Sequence, residues 1–412
     1  MLIWIRKIVL GVIGFEPKGS LDRGRMLSIF PKEISIHKGN IMRPLTILYL
    51  LLFISACAVK PSSDMDTPEY HTKAGMRHVE LGEYQQSLTS FDRAIALDKK
   101  FAPAHAGKGI AYANLKDTKM AKRSADKAVG LAGKDPDVLA LCGKVYIDLR
   151  DQEKKWYKDA QKILKKALKR DKKHEAATYY LGEVYLYRYE FSDAEDQFRM
   201  VVDMKGDHSA KADKMWQLSQ KIVRAVPGTD VGKKVALYEK ITRADLAVLL
   251  AEELKISKLM ERKTTPSTGF QTPGQMNSLS TGQGVPSDSR GHWAEVWINE
   301  MSRYGILEGA PGQPFYPDEP VNRAEYALAI QRILSIVTGD SGLETRYFGE
   351  SPSRFQDVPS SHPAYNAMAL CSERGIMQAD MITGRFQPGL PVAGADALLS
   401  IRTFQNALRM TF

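Results

Sequence analysis

From residue 68 to residue 203, apolar and small residues recur at the three- and four-residue steps that line one face of an α-helix, and the whole pattern returns about every 34 residues. The first copy runs through Gly82-Glu83-Tyr84 to Ser87, Phe91 and Ala94. The second carries Gly109, Tyr112, Ala121, Ala125 and Ala128, and the third Gly143, Tyr146, Ala160, Leu164 and Ala167, with about five extra residues around Trp156. The fourth has Gly182, Tyr185, Ala194 and Phe198. Small residues at such places let two antiparallel helices approach closely, and the large ones fill the space between successive hairpins. The pattern predicts a stack of helix pairs over 68–224, closed by an end-cap helix around Met215-Trp216 to Val223.

A different pattern occupies 225–412. Ile241-Thr242-Arg243-Ala244-Asp245-Leu246-Ala247 returns as Val321-Asn322-Arg323-Ala324-Glu325-Tyr326-Ala327 and, decayed, as Val392-Ala393-Gly394-Ala395-Asp396-Ala397-Leu398. Ahead of the second and third copies stand His292-Trp293-Ala294 and His362-Pro363-Ala364, Gly305-Ile306 and Gly375-Ile376, and Phe315-Tyr316-Pro317 and Phe386-Gln387-Pro388. The first copy has only its rear half, behind the turn Pro227-Gly228-Thr229-Asp230. Thr242 with Asp245, and Asn322 with Glu325, have the spacing of capping boxes, in which a side-chain oxygen and a carboxylate three residues on satisfy the free N–H groups of a helix start. Capping accounts for those four residues. It gives no role to an arginine at the first helical position, where the positive end of the helix slightly disfavours it. An arginine there can grip a carboxylate or phosphate through its planar fork while the helix amides add to the anion site. The stretch 263–289 is rich in Ser, Thr, Gly, Pro and Gln and reads as a flexible insertion between the first two modules.

The first pattern resembles the tetratricopeptide repeat, and the second resembles the S-layer homology module, which works in its family as sets of three helical units binding cell-wall polymers. Together they predict a mainly α protein, an α-solenoid of helix hairpins plus a small α-helical repeat domain. The first resemblance implies a concave groove for protein segments, lined by the first helix of each pair: Met76, Val79, Asn114, Lys144, Tyr179, Glu183 and Tyr187. Val79 and Tyr179 fit packing within the stack equally well. The second resemblance implies that Arg243 and Arg323 contact an acidic wall glycan, with Trp293 either stacking on sugar or lying in the core.

Upstream, Arg43 precedes a ten-residue apolar run that ends in Ile54-Ser55-Ala56-Cys57. The run is too short to cross a bilayer as a permanent helix and has the order of a secretory signal peptide. Its end resembles a bacterial lipobox, which implies cleavage before Cys57 and acylation of that cysteine. Several acyl chains give stable anchoring, where a single chain binds only marginally. Residues 42–56 then form a lipoprotein signal peptide and 57–67 a lipidated linker. Residues 1–41 have no recognisable design, and Met42-Arg43 is a natural start for the signal, so the stretch reads as an upstream extension.

Charge is unevenly placed. The chain carries a net +10, but residues 1–56 hold eight Lys/Arg against three Asp/Glu, half of that excess. Residues 153–173 hold ten cationic and three acidic side chains. A solvated helix face is the plain account of that run, and anionic lipid or wall polymer the sharper one. A nucleic-acid partner would call for basic residues spread over a docking face with base-reading partners, which the sequence lacks. Beyond Cys57, Cys142 and Cys371 fall at apolar helix positions without metal-ligand spacing, and no metal or cofactor is expected.

Fragments that imitate catalytic motifs are incomplete. Gly339-Asp340-Ser341-Gly342 is followed by Leu343 without a β-barrel pattern around it, and Gly228 to Lys234 is one residue short of a phosphate loop and lacks its hydroxyl. The expected function is therefore a non-enzymatic envelope lipoprotein at the periplasmic face of the outer membrane, since Ala58 rather than Asp follows the anchor. It would be a tether and adaptor between a protein partner and peptidoglycan or an associated polymer. The competing expectation is an assembly factor for a pilus, secretin or outer-membrane complex.

Overall fold

The computed structural model of the chain describes residues 61, 63–264, 286–307 and 314–411. The chain divides into two compact units, Met1–Ala58 and Val59–Phe412, and every described residue lies in the second. The upstream extension, the signal peptide, Cys57 and most of the 263–289 insertion lie outside the described residues. Among the described residues there are 16 α-helices and no strand, so the chain is mainly α as its periodicity predicts.

Four hairpins open the unit: α1 (Pro68–Glu80) with α2 (Tyr84–Leu97), α3 (Ala102–Asn114) with α4 (Thr118–Ala132), α5 (Pro136–Asp148) with α6 (Trp156–Arg170), and α7 (Glu175–Tyr187) with α8 (Phe191–Met204). In the first, third and fourth hairpins the second helix drives one large side chain against a glycine of its partner. A Cβ built on Gly75 would stand 2.6 Å from the Phe91 ring, on Gly143 2.4 Å from Leu164, and on Gly182 2.7 Å from Phe198. Phe91 also reaches the next hairpin, where a Cβ on Gly107 would be 2.4 Å away. These glycines are selected by the space they leave, and that space is what lets neighbouring hairpins share a core. The end of the linker is tied down as well, because buried Asp66 accepts hydrogen bonds from Arg93 (Nε, 3.0 Å) and pairs with His71 at 2.7 Å.

The ninth helix, α9 (Ser209–Ala225), packs on α8 as an end cap should. Its other side is not left to water. The last helix of the chain, α16 (Gly394–Thr411), lies against it, and Lys221 pairs with Asp396 at 2.6 Å. One continuous hydrophobic core therefore runs from Ala102 to Leu408. The end-cap expectation is corrected to a joint: the apolar stripe of α9 needed a second cover, and the C-terminal repeats supply it.

Those repeats build three modules. The first consists of α10 (Asp230–Val235) and α11 (Arg243–Glu252), with α12 (Ile256–Thr264) after it. The second is α13 (Glu295–Arg303) and α14 (Arg323–Thr338), and the third α15 (Tyr365–Glu373) and α16. Their centres join in a closed ring of backbone hydrogen bonds. Ile241 N–H donates to Val392 O, Val392 N–H to Val321 O, and Val321 N–H to Ile241 O, each at 2.9 Å. A cycle of three such bonds closes only when all three modules are present. The truncated first copy and the decayed third copy are thus both full members of the ring.

Candidate functional site

Both capping boxes form: Thr242 and Asp245 exchange hydrogen bonds at the start of α11, and Asn322 and Glu325 do the same at the start of α14. The cap fixes where the following arginine leaves the helix. Arg243 Nε donates to Phe315 O at 2.8 Å and the guanidinium lies 4.7 Å from that ring's centre. Arg323 repeats this on the next module, donating from Nε to Phe386 O at 2.8 Å with the guanidinium 4.6 Å from the Phe386 ring. The backbone continues the match, because Arg243 and Ala244 N–H donate to Glu319 and Pro317 carbonyls as Arg323 and Ala324 N–H do to those of Leu390 and Pro388. Each accepting segment is held from behind by an aspartate. Asp288 accepts the N–H groups of Phe315 (2.8 Å) and Tyr316 (2.6 Å), and Asp357 those of Phe386 and Gln387 (both 2.8 Å). A helix start alone offers the arginine nothing, but the next module offers it a carbonyl and a ring. The arginines thus have a structural role that helix capping alone does not give them.

Arg323 spends a second nitrogen on Gln378 O (Nη2, 2.8 Å), and burial lowers its pKa. Arg243 also lies on the wall of a cleft of about 180 Å³ between the first and second modules. Leu246, Val321, Ile306 and Leu328 form its apolar walls, and Arg332 and Glu325 add two further charges. Glu325 Oε1 stands 4.0 Å from Arg243 Nη1, and Arg332 Nη1 donates to Ile306 O at 3.3 Å. The cleft thus combines two guanidinium groups, one carboxylate and an apolar floor, a setting for an acidic group carried on a partly apolar ligand. Nothing in the local motif marks Arg332, because its place in the cleft comes from the next helix turn of a different module. Trp293 is exposed, with its ring against His292 and Trp297, so the core alternative for it is set aside. His292 itself closes the turn before α13 by accepting the N–H of Ala294 at 3.1 Å, as His362 does for Ala364 before α15.

At the third junction the arginine position is Gly394. A Cβ there would stand 1.7 Å from the carbonyl oxygen of Val235, and Gly394 N–H donates to Tyr238 O at 2.9 Å. The C-terminal end of α10 fills the room an arginine would need. The phosphate-loop imitation next to it is also accounted for: Glu253 accepts the N–H groups of Gly228 (3.0 Å) and Thr229 (2.9 Å), so a carboxylate of the chain already holds the anion position.

In the repeat stack, Met76 and Val79 on α1, Asn114 on α3, Lys144 on α5 and Glu183 and Tyr187 on α7 are all partly exposed. Several are linked. Asp148 pairs with Lys144 and accepts from Asn114 Nδ2 at 3.1 Å, while Arg150 covers the Tyr187 ring at 4.3 Å. Burial works against the Lys144 ammonium, yet Glu183 and Asp148 outweigh it and hold its pKa above the usual lysine value. Burial pushes the Glu183 carboxyl above its usual range, with Lys144 pulling the other way. Its Oε2 is closed off from solvent and has no hydrogen-bond partner among the described residues. Tyr179 is the exception to the groove expectation. It is buried with its ring 5.6 Å from Phe198 and 5.3 Å from His208, because α8 and α9 close over that face of α7.

Cys142 and Cys371 are buried free thiols, both pushed up to about 12 chiefly by burial, which leaves them packing groups without nucleophilic character. No group of three or more metal-ligating side chains occurs among the described residues.

Two family models match the chain. The tetratricopeptide repeat family model matches residues 72–136 and 147–209, and the S-layer homology domain model matches 287–327 and 354–398. An endo-1,4-beta-xylanase A of Thermoanaerobacterium saccharolyticum is 26% identical over 223 residues, 51% of this chain, so the chain spans only 18% of that relative's length. Two solved structures of MamA are 17% identical at a TM-score of 0.26, covering 38% of this chain and 87% and 82% of theirs.

Proposed function

For a chain that carries tetratricopeptide repeats followed by an S-layer homology domain, we propose the function of a non-enzymatic tether of the cell envelope. Both families are binding modules, the first for protein segments and the second for cell-wall polymers. The observation that carries the reading is the cleft beside Arg243, where a second arginine, a carboxylate and apolar walls meet at a junction built by two modules. An acidic sugar of a wall glycan fits that chemistry, with Trp293 available for stacking on a neighbouring ring. Arg323 contributes by holding the third module in place, and the junction at Gly394 takes no ligand.

The other end of the tether is lipid. Acylation of Cys57 would hold the protein at the periplasmic face of the outer membrane, and the groove of the repeat stack would dock a protein partner through Met76, Val79, Asn114, Lys144, Glu183 and Tyr187. Weak sites gain from such anchoring, because the tether raises their effective concentration. The continuous core through α9 and α16 supports this by making the groove and the wall-binding modules one body. The same feature fits the second reading, an assembly factor for an envelope machine, whose clients would need to be held at a fixed angle to the wall.

The test is co-sedimentation of residues 59–412 with purified sacculi. The isolated C-terminal modules would be a poor reagent, because α16 loses its cover. Retention that falls at least tenfold in Arg332→Ala, with an unchanged unfolding midpoint, supports the cleft. Retention equal in wild type, Arg332→Ala and Glu325→Gln overturns it, and absence of retention in all three favours the assembly reading.

A further inference from the structure

The third hairpin carries a charge pattern unlike that of its neighbours. Along α6 the buried residues are Trp156, Ala160, Leu164 and Ala167. Opposite them, Lys158, Lys162, Lys165, Lys166 and Lys169 follow one another at three-, four- and one-residue steps, so they share the outer face of the helix. Lys154, Lys155, Arg170, Lys172 and Lys173 extend the run at both ends, and all ten cations are exposed. Among the described residues none of the ten is in an ion pair. Of the three carboxylates in the same stretch, Glu153 is taken by Lys122 of the preceding hairpin, and Asp171 caps the turn behind α6 by accepting the N–H of Lys173.

A helix face meant only for solvation interleaves its signs, since like charges four residues apart oppose helix formation. Here Lys158 and Lys162, Lys162 and Lys166, and Lys165 and Lys169 stand four residues apart, and the single carboxylate within the helix, Asp159, sits in its first turn. The last turn of the helix gains from cations at its negative end, which accounts for Lys169 and Arg170 and leaves the rest. The outer face of α8, by contrast, mixes Asp193, Glu195 and Asp196 with Arg199.

We propose that the outer face of α6 is a docking surface for an anionic lipid bilayer. Nine of the ten cations are lysines, compact point charges suited to a diffuse negative surface, whereas recognition of nucleic acid or of a defined glycan favours arginine forks and stacking aromatics. The length of chain outside the structure supports the same occupant. The apolar run ends at Ile54, and the first helix begins at Pro68, so the intervening chain spans at most about 45 Å when extended. A body held that close to a membrane brings its basic ridge within reach of the headgroups, and each lysine near an anionic surface then strengthens binding by about fivefold. The inference uses the membrane-anchor reading only to choose lipid, and it is independent of the wall-binding cleft.

The test uses residues 59–412, whose core lies wholly within that unit, so that no signal comes from the apolar run or from acyl chains. Binding is read by co-sedimentation with vesicles of phosphatidylcholine alone and of phosphatidylcholine with phosphatidylglycerol in roughly a 2:1 ratio. Binding to the mixed vesicles only is expected, and its loss in about 1 M NaCl, where screening acts over about 3 Å. The quadruple variant Lys158→Gln, Lys162→Gln, Lys165→Gln, Lys169→Gln should weaken it by about two orders of magnitude or more. A charge-matched control, Lys99→Gln, Lys100→Gln, Lys116→Gln, Lys119→Gln, should change it by less than about fivefold, one lysine's share. No binding to the mixed vesicles, an equal loss in the control, or capture by anionic glycan or DNA but not by vesicles would each overturn the proposal.

Discussion

Replacing Gly394 by alanine sets helix propensity and tertiary packing against each other, and they differ in sign. At an exposed helix start, alanine is favoured over glycine by up to about 1 kcal/mol. Here the new Cβ would meet the Val235 carbonyl, with the oxygen at 1.7 Å and the carbon at 2.6 Å. An ordinary carbon–oxygen contact needs about 3.3 Å, so the end of α10 or the start of α16 must retreat by about 1.6 Å. That retreat breaks the bond from Gly394 N–H to Tyr238 O, worth about 0.5–1.5 kcal/mol, and adds overpacking strain of about 1–3 kcal/mol. A net loss of about 1–3 kcal/mol is expected once the propensity gain is subtracted. Urea unfolding of residues 59–412 reads the magnitude. Hydrogen exchange at the amides of Ile241, Val321 and Val392 reads the mechanism, because these close the three-module ring. Gly394→Arg, which restores the motif of the other two copies, should cost more than alanine. The reasoning fails if Gly394→Ala matches or exceeds wild type in stability while the ring amides exchange at their original rates.

Further outcomes follow from the same packing. Phe198→Ala should cost about 3–5 kcal/mol, since the ring fills the notch beside Gly182 and its removal leaves a cavity; a denaturant midpoint shift worth under about 1 kcal/mol would contradict this. Asp288→Asn leaves one acceptor oxygen for two N–H donors and should destabilise by about 1–3 kcal/mol, with the largest rise in exchange at the Phe315 and Tyr316 amides. Glu183 supplies a pH test. Its folded pKa is raised above the usual 4.5, so between that value and the folded pKa the folded state binds more protons than the unfolded one, and stability falls as pH rises through the window. Glu183→Gln should remove that fall and gain about 1–3 kcal/mol at neutral pH relative to wild type, and melts from acid to neutral pH that show the variant less stable would mean that Lys144 outweighs burial.

The sequence by itself determined the elements and their kind. Helical periodicity marked the hairpins from 68 to 203, the Thr242 and Asn322 caps located the starts of α11 and α14, and Gly143 and Gly182 announced close approach before any partner was known. These features are local: a cap, a helix face or a small residue acts within a turn or two of itself, so the chain records it at short range. Tertiary structure decided what the repeated residues do. Arg243 and Arg323 stand in equivalent motifs, each is tied to a carbonyl and a ring of the following module, and Arg243 also borders a cleft with Arg332. Tyr179 left the groove because two later helices close over it, and Gly394 looked like decay until Val235 was found in the arginine's place. Each outcome depends on a group tens to more than a hundred residues away, and no local pattern encodes the distance at which such a group arrives.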